Sequence, residues 1–244
     1  MLASTGMQGV LLAQTVGSTP GSSAFVLAVL LGLAAFLPFV VLVGTSFVKI
    51  VVVFSLLRNA LGVPQVPNNM VVMGLAAILS LHIMAPTGAA VLEAAGPLVS
   101  QALTQDVSTP QGLETLGRAW AAARGPAARF LRANAKPRDR ALFLDLARRA
   151  RTNQGATHAA MPAADDLSVL LPAFLVSELT AAFVIGFLLF LPFLVVFLVV
   201  ASLLTALGMA SVSPTTVALP FKLLLFVLAD GWYLLARALV LGYR

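Results

Sequence analysis

Six charged side chains interrupt otherwise apolar runs of this sequence: Lys49, Arg58, Glu178, Lys222, Asp230 and Arg237. An ionised group in hydrocarbon is costly, so each should face a bundle interior, a partner or water, and each is a candidate functional position. Glu178 is the one whose type invites chemistry, because a lone membrane carboxylate can relay protons. It can equally pair with Lys222 or with a neighbouring subunit. Lys49 and Arg58 stand about 180° apart on a helix at roughly 100° per residue, so they cannot line one polar stripe and are expected to snorkel toward opposite ends. On one continuous last helix, Lys222, Asp230 and Arg237 fall within about 80° of each other. They predict a polar seam for subunit packing or a wet channel wall. Their spacings exceed the i, i+4 reach of local ion pairs.

Other chemistry lacks the residues it needs. The sequence contains no H-E-x-x-H, G-x-S-x-G, P-loop or G-x-G-x-x-G pattern. It has no cysteine, which excludes disulfides, thiolate zinc sites, iron–sulfur clusters and cysteine nucleophiles. His82 and His158 lie in unrelated segments, and His82 reads as a core histidine bonded to backbone. No carboxylate pair has metal-ligand spacing. The expectation is a non-enzymatic protein with no catalytic residue, metal or cofactor.

The elements that must position these charges are helices in lipid. Hydrophobic residues make up 60% of the 244-residue chain and charged residues 10%, far from the balance of a soluble domain. The expected class is an all-α membrane protein of helical hairpins with a small helical soluble insertion. Residues 1–23 read as a flexible or processed leader without the basic start of a signal peptide. Residues 24–86 carry N-terminal apolar helices: Ala24–Val43, then Phe47–Gly62, then Met70–Ala85. Thr45 or Ser46 suits the start of the second and Gly62 its stop. Residues 87–166 form a soluble helical domain, with a short helix over Gly112–Arg124, another over Pro137–Arg151, and a polar linker over Thr152–Ala164. Residues 167–244 form a membrane hairpin, its first arm broken by Pro172 and Pro192, its turn at Ala210–Thr216 and its return over Val217–Leu241. Leu-Pro-Phe recurs at 37–39, 191–193 and 219–221 without register, so it is biased composition and no inverted repeat.

Ten of the fifteen Lys and Arg residues lie between Arg118 and Arg151. They read as a solvated face beside an anionic membrane surface. Aromatic interleaving is limited to Trp120, Phe130 and Phe143, which fit a helical core better than base stacking, so no nucleic acid is expected.

Two ordered blocks carry a resemblance. The first is Thr45-Ser-Phe-Val-Lys-Ile-Val-Val-Val, continuing to Leu57-Arg-Asn-Ala-Leu-Gly-Val-Pro-Gln-Val-Pro67. The second runs from Leu171-Pro-Ala-Phe-Leu-Val-Ser-Glu-Leu-Thr through Phe183-Val-Ile-Gly-Phe187 and Ala206-Leu-Gly-Met209 to Leu219-Pro-Phe-Lys-Leu-Leu-Leu-Phe-Val-Leu-Ala-Asp-Gly-Trp232. They resemble the FliP/SctR export-apparatus family of type III secretion over roughly residues 30–86 and 130–244. The Arg-Asn-Ala-Leu-Gly wording and the closing Leu241-Gly-Tyr-Arg244 resemble its injectisome (SctR/HrcR-like) branch.

The resemblance implies a multi-pass subunit of the bacterial inner membrane that assembles into a ring of five copies. Two smaller membrane proteins (SctS/FliQ-like and SctT/FliR-like) would join it, with unfolded secretion substrates passing through the centre. The hairpin turn, here Gly208, Met209 and Ala210, would supply a methionine gasket in the pore, thinner than usual because Ala210 and Ser211 follow Met209. Phe197 stands where the family usually has an acidic residue, which leaves Lys222 needing another partner, with Glu178 the candidate. Asn69 also departs from the common pattern. A naive positive-inside count would put the soluble domain in the cytoplasm, but that rule holds only for short loops, and the resemblance places it on the periplasmic side. The competing reading is a secondary transporter of a small solute using Glu178, Lys222 and Asp230; a third is a scaffold that lines no path.

Overall fold

The computed structural model of the protein describes residues 32, 35, 38–40, 42–63, 65–105, 109–153 and 161–243. The leader 1–23, most of the apolar run at 24–43, and the middle of the 152–164 linker lie outside them. From Phe47 onward, the described residues form seven helices and no strand. These are α1 (Phe47–Leu61), α2 (Asn69–Thr104), α3 (Pro110–Asn134), α4 (Pro137–Asn153), α5 (Leu167–Ala206), α6 (Pro214–Leu228) and α7 (Gly231–Leu241).

Helix α1 ends where the sequence expects it to. Gly62 adopts φ 86°, its N–H bonds to the Asn59 carbonyl at 3.1 Å, and the Val63 N–H bonds to that of Arg58 at 3.2 Å. This is a Schellman closure, and the left-handed residue it needs carries no Cβ penalty when it is glycine. Asn68 then starts α2, its side chain accepting from the Val71 N–H at 2.9 Å.

Four of the expected breaks do not occur. Helix α2 runs for 36 residues straight through Pro86 and Pro97, so the apolar stretch Met70–Ala85 is only its first half. Helix α3 continues past Arg124 and Pro126 to Asn134, and α5 passes Pro172 and Pro192 unbroken for 40 residues. A proline inside a helix costs about 3 kcal/mol through a lost bond and a clash with the preceding turn. Here α2 packs against α3, and α5 against α1, α3, α4 and α6. Tertiary packing of the whole helix outweighs the local loss.

One expected continuity fails. The return arm of the hairpin is two helices, α6 and α7, bent by 60° at Ala229–Asp230. Asp230 sits in the left-handed region at φ 51°, and Gly231 follows where a Cβ would lie 2.2 Å from the Phe226 ring. A short polar residue tolerates that conformation, and only glycine fits beside the ring. The angular relation placing Lys222 with Asp230 and Arg237 on one face assumed a straight helix, and the bend removes it.

Helix α1 sits at the centre. Ile50, Val53, Phe54, Leu57, Ala60 and Leu61 pack against residues of α2, α5, α6 and α7. A second cluster joins Phe130 and Leu131 of α3 to Leu170, Ala173 and Phe174 of α5, and a third lies under the hairpin tip. By length and composition α2 and α5 are each able to cross a membrane, and the bent pair α6–α7 makes up to a third span.

Candidate functional site

Packing of α1 on α5 brings Lys49 and Glu178 together. Lys49 Nζ lies 3.2 Å from Glu178 Oε1, and both side chains are buried. The Tyr243 hydroxyl, just beyond α7, donates to Glu178 Oε2. The Lys49 ammonium also sits 3.9 Å from the centre of the Tyr243 ring, which stacks on Phe130 at 6.1 Å. Each charge therefore gains partners besides the other, the condition under which a buried pair survives desolvation. Burial, followed by the adjacent Glu178 carboxylate, pushes the Tyr243 phenol above its ordinary range, so it stays a neutral donor. One residue back, Ser177 Oγ donates to Asp139 Oδ2 at 2.6 Å and accepts the Lys136 N–H at 2.9 Å, fixing the start of α4 on α5. The ion pairs Arg124–Asp166 at 2.8 Å and Arg132–Asp165 at 2.9 Å fix α3 to the chain entering α5.

These contacts correct two expectations. Lys49 does not snorkel; it is buried in an ion pair. Glu178 does not pair with Lys222. Lys222 Nζ instead donates to the Ala60 carbonyl at 3.0 Å and lies 5.9 Å from the centre of the Phe197 ring. Ala60 is in the last turn of α1, where carbonyls lack helical partners and a cation is favoured by the dipole. Arg58 serves the same helix end. One of its guanidinium nitrogens donates to the Pro67 carbonyl at 3.0 Å and to Asn69 Oδ1 at 2.8 Å, strapping the 62–68 connection down.

The hairpin tip is a tied turn. Gly208 has φ 69°, its N–H bonds to the Thr205 carbonyl at 3.1 Å, and the Met209 N–H bonds to that of Leu204 at 2.9 Å. Met209 is exposed, as are Gly208 and Ala210. Beneath the tip, Val200, Leu204 and Ala218 pack with Phe197, Val212 and Val217.

Asp230 and Arg237 join none of these centres. Both are exposed on the outer side of α7. Sequence reasoning also missed residues that complete the contacts. Tyr243 was visible in the closing Leu241-Gly-Tyr-Arg244 wording but with no contact assigned to it. Asn69, which had no account, is the acceptor for Arg58. Among the described residues, no group of three or more His, Asp or Glu side chains could hold a metal ion.

The sequence model described as the FliP family matches residues 30–239. The chain belongs to the FliP family. It is 44% identical over 217 residues to Yop proteins translocation protein R of Yersinia pestis, covering 89% of this chain and 95% of that one. Hypersensitivity response secretion protein HrcR of Ralstonia nicotianae is 47% identical over 210 residues, covering 86% and 93%. Flagellar biosynthetic protein FliP of Pectobacterium carotovorum subsp. carotovorum is 44% identical over 216 residues, covering 88% of this chain but only 77% of the relative. Identity alone does not separate the branches, but the near end-to-end coverage goes with the injectisome relatives. The chain is a type III secretion export-apparatus component of the injectisome branch.

Proposed function

We propose that this FliP-family chain is the ring-forming core subunit of the export gate, through which unfolded substrates cross the inner membrane. Five copies form the ring, and two smaller membrane proteins of the SctS/FliQ and SctT/FliR kinds complete it. The helical domain 87–166 stands on the periplasmic side, and Gly208, Met209 and Ala210 face the conduit, where the unbranched Met209 side chain can repack around varied substrates.

One observation carries the assembly. Helix α5 has 40 residues, its most apolar stretch has a mean hydropathy of 3.1, and eleven of its large apolar side chains, from Val176 to Leu203, are exposed. At 1.5 Å per residue it is about 60 Å long, twice the roughly 30 Å hydrocarbon core. A 40° tilt still leaves about 46 Å along the normal. The chain's own α3 covers Leu170, Ala173 and Phe174 at the start of the helix, and a neighbouring copy over part of the exposed remainder fits that length. The solute-carrier alternative has no such support. Glu178 is closed by Lys49 and Tyr243, Lys222 bonds a carbonyl, and Asp230 lies on the far side of a bend.

Met209→Cys tests the path directly, since the chain has no other cysteine. A substrate stalled in transit should cross-link to position 209 and not to an exposed position on α4. Equal cross-linking at both sites would reject a tip that faces the conduit. Loss of secretion on gene deletion, with other membrane proteins inserted normally, is the accompanying expectation.

A further inference from the structure

Helix α7 carries two charges that nothing among the described residues uses. Trp232 packs edge-on against Phe226 at 5.3 Å and faces Phe54 at 6.2 Å, while Leu235 and Leu239 are buried in the same core. These residues fix the inner side of the helix. The outer side is Asp230, Leu234, Arg237 and Leu241, at spacings of four, three and four, all exposed. That spacing is the seam of a helix that packs on another helix.

Asp230 belongs to this seam despite its left-handed backbone, because its carbonyl accepts the Leu234 N–H at 3.1 Å and so opens the helix. Its carboxylate makes no capping bond to its own helix. Neither it nor Arg237 joins any ion pair among the described residues. Seven residues separate them, about 20° in angle and about 10 Å in rise. They share a face but cannot reach each other. Both lie in the bent span α6–α7, where an unpaired charge against acyl chains is costly.

We propose that Asp230 of one copy and Arg237 of the next form the ion pair that closes the subunit seam of the ring. The inference rests on the ring reading and specifies its contact. What selects a second copy as the occupant is the sign pattern. The face presents one acid and one base about two turns apart, so each copy offers Arg237 to one neighbour and Asp230 to the other, and both kinds of charge are met once the ring closes. An anionic lipid headgroup would meet Arg237 and repel Asp230, and a partner surface of one sign would leave one charge stranded. The flanking Leu234 and Leu241, 52% and 70% exposed, supply the apolar contact around the pair.

Charge exchange tests this in the full chain, purified in mild detergent and weighed by native mass spectrometry. Asp230→Arg and Arg237→Asp are each expected to lower the ring fraction roughly 30-fold or more, as expected for stranding one member of a desolvated pair. The double variant is expected to restore it. Both residues are exposed in the single chain, and because arginine is strained at the left-handed position 230, Asp230→Asn, which keeps a short polar side chain there, is the second variant expected to lose the ring with folding, read by circular dichroism, unchanged. As a second readout, chains bearing Asp230→Cys and chains bearing Arg237→Cys are mixed and treated with a short bismaleimide. The 230–237 product should exceed the 230–230 and 237–237 products. Single variants that keep the wild-type ring, a double variant that fails to restore it, or dominant like-with-like cross-links would each overturn the pair while leaving the ring standing. A wild-type chain that weighs only as a monomer would overturn the ring and the pair with it.

Discussion

Lys49 and Glu178 are buried against one another, so removing either strands a charge that water cannot reach. Lys49→Ala or Glu178→Ala should each destabilise the folded chain by about 3–5 kcal/mol. Replacing both by methionine should cost less than the sum of the two single Met replacements. Tyr243→Phe, which removes one hydrogen bond to a charged acceptor, should cost about 1.5–3 kcal/mol. Lys222→Met combined with Glu178→Gln should instead be additive within about 0.5 kcal/mol, because the two residues share no partner. Denaturant unfolding in detergent measures all of these, and strong coupling between Lys222 and Glu178 would contradict the assignment of partners. The sequence shows which charges stand in apolar surroundings and conceals how they pair. Six charges in apolar surroundings are conspicuous by cost alone. Which two meet depends on long-range packing, 129 residues apart for Lys49 and Glu178, and no local spacing encodes it. Lys222 on the Ala60 carbonyl was equally hidden, because a backbone acceptor at a helix end leaves no trace in residue type.

Helix boundaries divide by the physics that sets them. Gly62, Gly208 and the Asp230-Gly231 pair impose backbone conformations through the residue itself. The first is legible as a stop, and the last is legible in principle though passed over in favour of a long apolar run. Pro86, Pro172 and Pro192 mislead because their cost is local and the packing that outweighs it is not. The close approach of α1 to α5 depends on Gly186, where a Cβ would lie 2.3 Å from Leu56 Cδ1 and 3.0 Å from its Cβ. Gly186→Ala gains about 1 kcal/mol of helix propensity. It should nonetheless destabilise the chain, because α1 must move off α5 or Leu56 must leave its rotamer, at about 1–3 kcal/mol. In a Leu56→Ala background the same substitution should become neutral or stabilising. Thermal unfolding of the four chains checks that reversal of sign. The same loss in both backgrounds would mean that Leu56 does not set the approach.

At the scale of the whole molecule, the length of α5 sets the problem. Phe183 and Leu203 are both exposed, and twenty residues place them about 30 Å apart along the helix. That separation equals the hydrocarbon thickness, so both cannot lie near the bilayer centre. On the ring reading proposed above, one of them faces lipid and the other lies where a neighbouring subunit covers the helix. Arginine at a lipid-facing central position costs about 2.5–3.5 kcal/mol of insertion, falling off toward the interfaces. Phe183→Arg and Leu203→Arg should therefore fail differently. One variant should insert poorly, read as loss of the membrane fraction. The other should insert normally yet weigh as a single 25.4 kDa chain where the parent weighs as a ring. In that reading the two failures come from one helix because its exposed apolar surface answers to two solvents, acyl chains over one part and neighbouring subunits over another. If both variants lost insertion equally and the parent still formed rings, α5 would lie within lipid along its whole length, and the seam between subunits would have to be built from the other helices.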